Sequence, residues 1–296
     1  MTSLTTPAAR PAATDSDDRI ARIRDAAYRI RLNALTEGEV QGQGYIGQAL
    51  GVADVLAVAY TDQMRFRADD PHWAGRDRFL LSIGHYAIAL YAALAEAGII
   101  PVEELSTYGS DESRLPMSGM ASYTPGMEIS GGSLGHGLAV ATGMALGLRH
   151  QGNPARVFNL LSDGELDEGS TWEAALQASH HGLDNLTAIV DVNALQADGP
   201  TAGILRTEPV TDKWRAFGWH AVRVDGNDID ALVDGFDELR THTGSPGVLI
   251  CDTRIGSGVP LLETREKAHF MRVAEHEWQI ARDQLAAGYN SEGQDR

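Results

Sequence analysis

Two short runs thirty residues apart carry the groups best suited to hold a metal against a phosphate: Ser162-Asp163-Gly164-Glu165 and Asn193-Ala194-Leu195. A carboxylate, an amide oxygen and a free backbone carbonyl are hard oxygen donors. Such donors suit Mg2+ or Ca2+, and Mg2+ completes its octahedron with phosphate oxygens and water. Gly164 would let the backbone approach a phosphate closely. A plainer reading stands beside this one, because Asp-Gly after a strand is a common turn and Asn tolerates the same positions. A second run, "SGGSLGHG", sets Gly131, Gly132, Gly135 and Gly137 immediately before an apolar helical stretch. A glycine loop entering a helix N-terminus offers free N–H groups and a favourable dipole to an anion, although a close-packed helix start demands glycines too.

For these groups to meet, both runs must leave neighbouring strands at the same sheet edge. The pattern predicts that arrangement. Arg156 to Leu161 and Leu186 to Val192 are continuous apolar strands, with a helix over Gly169 to His181 between them. Further strands are predicted at Arg78 to Ile83, His220 to Val224 and Val248 to Thr253, and further helices at Ile88 to Ala97, Leu138 to Leu148 and Ile229 to Leu239. Alternating helices with buried Val/Ile/Leu strands means α/β architecture: a doubly wound parallel sheet with helices on both faces. Ligands then sit beyond the carboxyl ends of the strands, and right-handed crossovers put Asp163 and Asn193 on one edge. His85 follows Gly84 at such a strand end. An N-terminal helix from Asp17 or Asp18 buries Ile20, Ile23, Ala27, Ile30 and Ala34, and Gly38 is expected to end it. Residues 106–133 show no period, which in a compact domain usually marks a functional segment. The domain is expected over 17–285, with a disordered tail at 1–16 and a flexible tail at 286–296.

Composition narrows the function. Of 296 residues, 24 are Lys or Arg and 41 are Asp or Glu, a net charge of −17. That balance argues against nucleic acid as a partner, since such affinity rests on cations neutralising phosphates. No apolar run suggests a membrane span, and no secretory signal is evident. The single Cys251 excludes an internal disulfide and fits a reducing, cytoplasmic setting.

Taken together, Asp163-Gly164-Glu165, the thirty-residue interval and Asn193 resemble the thiamin-diphosphate motif of transketolases. The blocks "GYIGQALGVADVL", "GRDRFLLSIGHYAIALYAALAEAG", "GSLGHGLAVATGMALG" and "KWRAFGWHAVRVDGND" are similar to that family in the right order. The run from Glu168 to Ala174 is closer to transketolases than to 2-oxo acid dehydrogenase subunits. The resemblance implies thiamin diphosphate with Mg2+ (Ca2+ or Mn2+ substituting), held by Asp163, Asn193 and the Leu195 carbonyl. Gly132, Ser133 and Leu134 would line the aminopyrimidine, and the Gly164 amide would contact the diphosphate, beside Glu165. His85 would bond the diphosphate or substrate. His269 falls where the family places a histidine over the thiazolium, and Glu168 matches an acid that links the two active sites of a dimer. For His269 a solvated surface histidine is the competing reading, and for Glu165 and Asp167 a solvated helix start. His136, His180 and His181 read as structural.

The length resembles the N-terminal subunit of a split transketolase. A C-terminal partner subunit would then supply the pyrimidine-binding half and the glutamate that activates the cofactor, in a dimer of heterodimers. Three positions depart from the family pattern: Tyr45 and Ser118 stand where sugar-binding members have histidines, and Ile83 replaces a polar residue. The expected activity is transfer of a two-carbon ketol unit from a ketose to an aldehyde, with an altered pocket for a small-molecule or carrier-bound acceptor. Two alternatives remain: decarboxylation of a 2-oxo acid with acyl or acyloin transfer, and a non-catalytic regulatory subunit.

Overall fold

The computed structural model describes residues 16–292. Five parallel strands form one sheet: β1 Arg78–Leu81, β2 Val157–Ser162, β3 Leu186–Val192, β4 His220–Asp225 and β5 Gly247–Asp252, in the order β1-β2-β3-β5-β4. Around it lie α1 Ser16–Gln41, α2 Ile46–Gly51, α3 Ala53–Val58, α4 Ala87–Glu96, α5 Gly137–His150, α6 Gly169–His180, α7 Val210–Ala216, α8 Ile229–Thr241 and α9 Glu277–Glu292.

Because successive strand side chains point to opposite faces, the strands feed two separate cores. Phe79, Leu81, Phe158, Leu160, Ile189 and Leu249 pack against α1, α3, α4 and α8. Leu80, Val157, Leu161, Leu186, Ala188, Val190 and Ile250 pack against α5, α6 and α7. The sheet is therefore covered on both faces, as the sequence predicts. No helix of the described residues is long and apolar enough to cross a membrane.

Apart from shifts of one or two residues at strand and helix ends, two boundaries differ from expectation. Helix α1 does not stop at Gly38 but runs on to Gln41. Gly38 is a packing glycine, since a Cβ there would meet Ile46 at 2.9 Å and Trp278 at 3.0 Å. The helix ends instead at Gly42, whose φ of +64° suits glycine. At the other end, α9 continues to Glu292, so the flexible tail expected from 286 is helical over its first seven residues. Tyr289 explains why: its ring stacks on Tyr28 with centroids 4.3 Å apart, and its hydroxyl donates to Asp25. Of the tail expected at 1–16, Ser16 opens α1 and the rest lies outside the described residues, as do 293–296.

One buried acid in α1 has a consequence for stability. Glu37 is fully buried, and neither carboxylate oxygen has a hydrogen-bond partner. Burial pushes its carboxyl well above the usual range. The folded chain therefore binds a proton that the unfolded chain has released, and stability falls as pH rises from the ordinary glutamate value toward the raised one. Glu37→Gln removes this dependence. Its melting temperature should exceed that of the unmodified chain by more at pH 8 than at pH 5, by about 2–4 °C for each kcal/mol of penalty relieved. Melting curves at the two pH values check this, and an equal difference at both would contradict it.

Candidate active site

The register of the sheet builds the centre of the site. Ser162 of β2 lies opposite Asp191 of β3, so the two strands end level. The Asp163 amide donates to the Asp191 carbonyl at 2.9 Å, which sets Asp163 and Asn193 side by side at the carboxyl edge. Asp163 is almost fully buried. One of its oxygens accepts from the Gly164 amide (2.9 Å), and the other from the Ala194 amide (3.0 Å) and the Thr201 hydroxyl (2.9 Å). Burial, with the neighbouring charge of Asp191, pushes its carboxyl up to about 6. Two buried acids this close favour a cation between their strand ends.

After Asn193 the chain turns back as a two-residue ribbon, Leu195–Gln196 with Gly199–Pro200. The turn needs Ala194 at φ +61°, a left-handed conformation that non-glycine residues seldom adopt. The Asn193 side-chain oxygen accepts from the Leu195 amide at 3.0 Å. Among the described residues no cluster of three or more His, Cys, Asp or Glu is placed to hold a metal. The donor set here is one carboxylate, one amide oxygen and one carbonyl, an incomplete cage whose remaining positions suit phosphate oxygens and water. Two glycines beside it leave room. A Cβ on Gly132 would meet nothing closer than the Ser118 hydroxyl at 4.0 Å, and one on Gly164 nothing closer than Gln196 at 3.5 Å. The chain's own packing does not require glycine at either position, whereas a cofactor lying against the backbone would. The residues present thus fit a metal-bound diphosphate.

Two amides of the glycine loop 131–137 are not free for the anion that its sequence suggests. The Gly137 amide donates to the Ser82 hydroxyl at 3.0 Å, and the Gly135 amide to the Glu165 carboxylate at 2.8 Å. These N–H groups at the start of α5 are satisfied within the chain. The glycines serve close approach: a Cβ on Gly84 would sit 2.3 Å from the Gly131 backbone, and one on Gly137 would sit 2.1 Å from the Ser82 hydroxyl. Glu165 is fully buried, which rules out the solvated helix start. It also accepts from Ser82, its second oxygen has no partner, and burial pushes its carboxyl up to about 7. Asp167 is half-buried and accepts from Gln196 at 3.1 Å. Gly132 and Ser133 stay exposed, Leu134 is half-buried, and Glu168 is exposed at the start of α6.

A second cluster stands beside the metal residues. The Tyr45 ring lies 4.6 Å from His85, 5.5 Å from His269 and 5.2 Å from Phe270, and the two histidines are 5.9 Å apart. A two-residue antiparallel pairing brings this about, Gln43 with Arg272 and Gly44 with Met271. No periodicity in so short a segment announces it. Burial, reinforced by His269, lowers His85 to about 4, so its imidazole is neutral at ordinary pH. His269 is also lowered by burial, opposed by a hydrogen bond to the Leu195 backbone. The Gln48 amide group donates to the His269 carbonyl at 2.7 Å and lies 3.2 Å from its Nδ1. His269 is therefore a positioned residue beside the Leu195 carbonyl.

Ser118 joins the other side of the site, donating to the Gly131 carbonyl at 3.2 Å, and Gly119 donates to the Gly84 carbonyl at 3.1 Å. The aperiodic 106–133 segment is thus tied across the end of β1. Ile83, by contrast, is fully buried in the core and presents nothing to a ligand. Gln48, Phe270, Tyr86, Asp191 and Thr201 complete the site. Asp191 and Thr201 flank the Asp163 and Asn193 motif, but nothing in their spacing distinguishes them from ordinary strand and turn residues.

Residues 23–294 match the family profile described as "Transketolase, thiamine diphosphate binding domain". The chain is 64% identical over 265 residues to a transketolase family protein of Sinorhizobium fredii, covering 89% of this chain and 95% of that one. It is 38% identical over 259 residues to the 6-deoxy-6-sulfo-D-fructose transketolase subunit SqwG of a Clostridium species, covering 88% and 94%. Among solved structures, transketolase from Leishmania mexicana superposes with a TM-score of 0.81 at 29% identity; the match covers 91% of this chain but only 44% of that one.

Proposed function

The chain belongs to the transketolase family through its thiamin-diphosphate-binding domain, and from that membership we propose that it is the N-terminal subunit of a two-chain transketolase that moves a two-carbon ketol unit from a ketose to an aldehyde. The observation that carries the proposal is the meeting of Asp163, Asn193 and Leu195 at two level strand ends, beside two glycines that the chain's own packing does not require. The length of the relatives supports a separate partner: the chain spans nearly all of a relative named as a subunit, but less than half of a solved transketolase.

In this reading Asp163, Asn193 and the Leu195 carbonyl hold Mg2+, with Ca2+ or Mn2+ able to substitute. Gly132, Ser133 and Leu134 line the aminopyrimidine, and the Gly164 amide meets the diphosphate. When bound, thiamin diphosphate supplies the electron sink for breaking and re-forming a carbon–carbon bond beside a carbonyl. The chain's residues do the positioning. Glu165 fastens the 131–137 loop to the end of β1 through Ser82 and Gly135. His85, kept neutral by burial, presents both a hydrogen-bond donor and an acceptor to diphosphate or substrate. Gln48 lies against Nδ1 of His269, so the opposite ring nitrogen carries the proton toward the Leu195 carbonyl. Glu168 is exposed at the start of α6, and in this reading it links to a neighbouring subunit. Tyr45 and Ser118 shape an acceptor pocket that offers two hydroxyls, one of them spent on the Gly131 carbonyl, in place of two imidazoles.

The test is product analysis on the chain reconstituted with its C-terminal partner. A ketose donor labelled at its first two carbons should pass both labels to an aldehyde acceptor. Release of CO2 from pyruvate, with no labelled ketose formed, would replace this reading with the decarboxylating one.

A further inference from the structure

The Asp191 carboxylate hydrogen-bonds the ligand set only through Asn193, yet it is fully buried and three donors converge on it. The Thr253 hydroxyl donates to one carboxylate oxygen. The other accepts from the Tyr86 hydroxyl at 2.8 Å and from the side-chain amide of Asn193 at 2.7 Å. That same amide also donates to the Tyr86 hydroxyl oxygen at 2.8 Å. The two N–H bonds of Asn193 are thereby both taken on one side.

The consequence follows from the chemistry of the groups. An asparagine side chain can turn either its oxygen or its NH2 toward a site with little change in shape. A carboxylate only accepts hydrogen bonds, so the group facing it must be the NH2. The Asn193 oxygen then has a single direction left, away from Asp191 and toward the Leu195 amide and the strand-end site. Tyr86 directly follows His85, so the same three-way contact also ties the His85 turn to Asn193. We propose that Asp191, with Tyr86, is a positioning residue that locks the Asn193 amide with its oxygen toward the metal and fixes His85 relative to it. This rests on Asp163 and Asn193 holding a divalent cation, and outer partners of metal ligands typically contribute 10–100-fold in metal affinity.

The test uses the full chain with its partner subunit, titrating Mg2+ at fixed thiamin diphosphate and following heat or tryptophan fluorescence, with melting of the cofactor-free complex as a control. Asp191→Asn should weaken Mg2+ binding roughly 10–100-fold. Tyr86→Phe, which preserves packing, should weaken it by a smaller factor. The double variant Asp191→Asn with Asn193→Asp reverses the pair: the new amide donates to the new carboxylate, whose other oxygen faces the metal. It should recover most of the lost affinity, a rescue that a merely structural role for Asp191 would not produce. Unchanged Mg2+ affinity in Asp191→Asn, or a loss that the double variant does not recover, would overturn the proposal. Asp163→Asn run alongside separates the two levels: if that variant also binds Mg2+ normally, the metal reading itself fails.

Discussion

Asp163→Asn should abolish Mg2+-dependent retention of thiamin diphosphate while leaving the cofactor-free chain about as stable as before. Removing a direct ligand should cost more than the roughly 100-fold typical of an outer-shell partner, and the proposed ketol transfer should fall at least that far. The stability side depends on two opposed effects. The native carboxylate is buried beside Asp191, which disfavours its charge, and asparagine relieves that repulsion. Against this, the new NH2 must face at least one of the donors that Asp163 now satisfies, the Gly164 and Ala194 amides and the Thr201 hydroxyl. Each effect is on the order of 1–3 kcal/mol, and they largely cancel. Metal titration together with cofactor-free melting curves checks both halves. A large drop in melting temperature would mean that Asp163 is chiefly a turn residue.

Restoring histidines at the two divergent positions should move the acceptor preference. Tyr45 fills a space bounded by His85, His269 and Phe270, and Ser118 borders the Gly131–Gly132 backbone. In the double variant Tyr45→His with Ser118→His, the smaller ring at 45 opens that space, and each position exchanges a hydroxyl for an imidazole with one donor and one acceptor nitrogen for a sugar hydroxyl. Each buried hydrogen bond to substrate contributes about 1–3 kcal/mol, roughly 5–150-fold in kcat/KM. The ratio of kcat/KM for an ordinary sugar-phosphate acceptor to that for the natural acceptor should rise by at least one such factor. A ratio left within twofold of the unmodified complex would show that neither position governs acceptor choice.

The parallel sheet and its site edge were legible because both rest on local patterns. β3 runs from Leu186 to Val192 as its apolar run predicts, and Asp163 and Asn193 follow from where two such runs stop. What escaped depends on distant contacts. Gly38 looks like a helix terminator in sequence, but Ile46 and Trp278 pack against it from elsewhere in the chain. The glycines before α5 look like an anion cradle, yet Ser82 and Glu165 take those amides from two other segments. His269 reaches His85 and Tyr45 only through a two-residue strand pairing with Gln43–Gly44. Asp191 reads as one polar residue in an apolar strand until Tyr86 and Thr253 close around it.

The most direct test is native mass spectrometry of the chain purified with its partner subunit. A stoichiometric complex of the two chains is expected, one that retains thiamin diphosphate and Mg2+, loses both with a chelator, and regains the cofactor only when a divalent cation is returned. A chain that remains alone and free of cofactor under the same conditions would contradict it, and would return Asp163 and Asn193 to the role of turn residues at the ends of two strands.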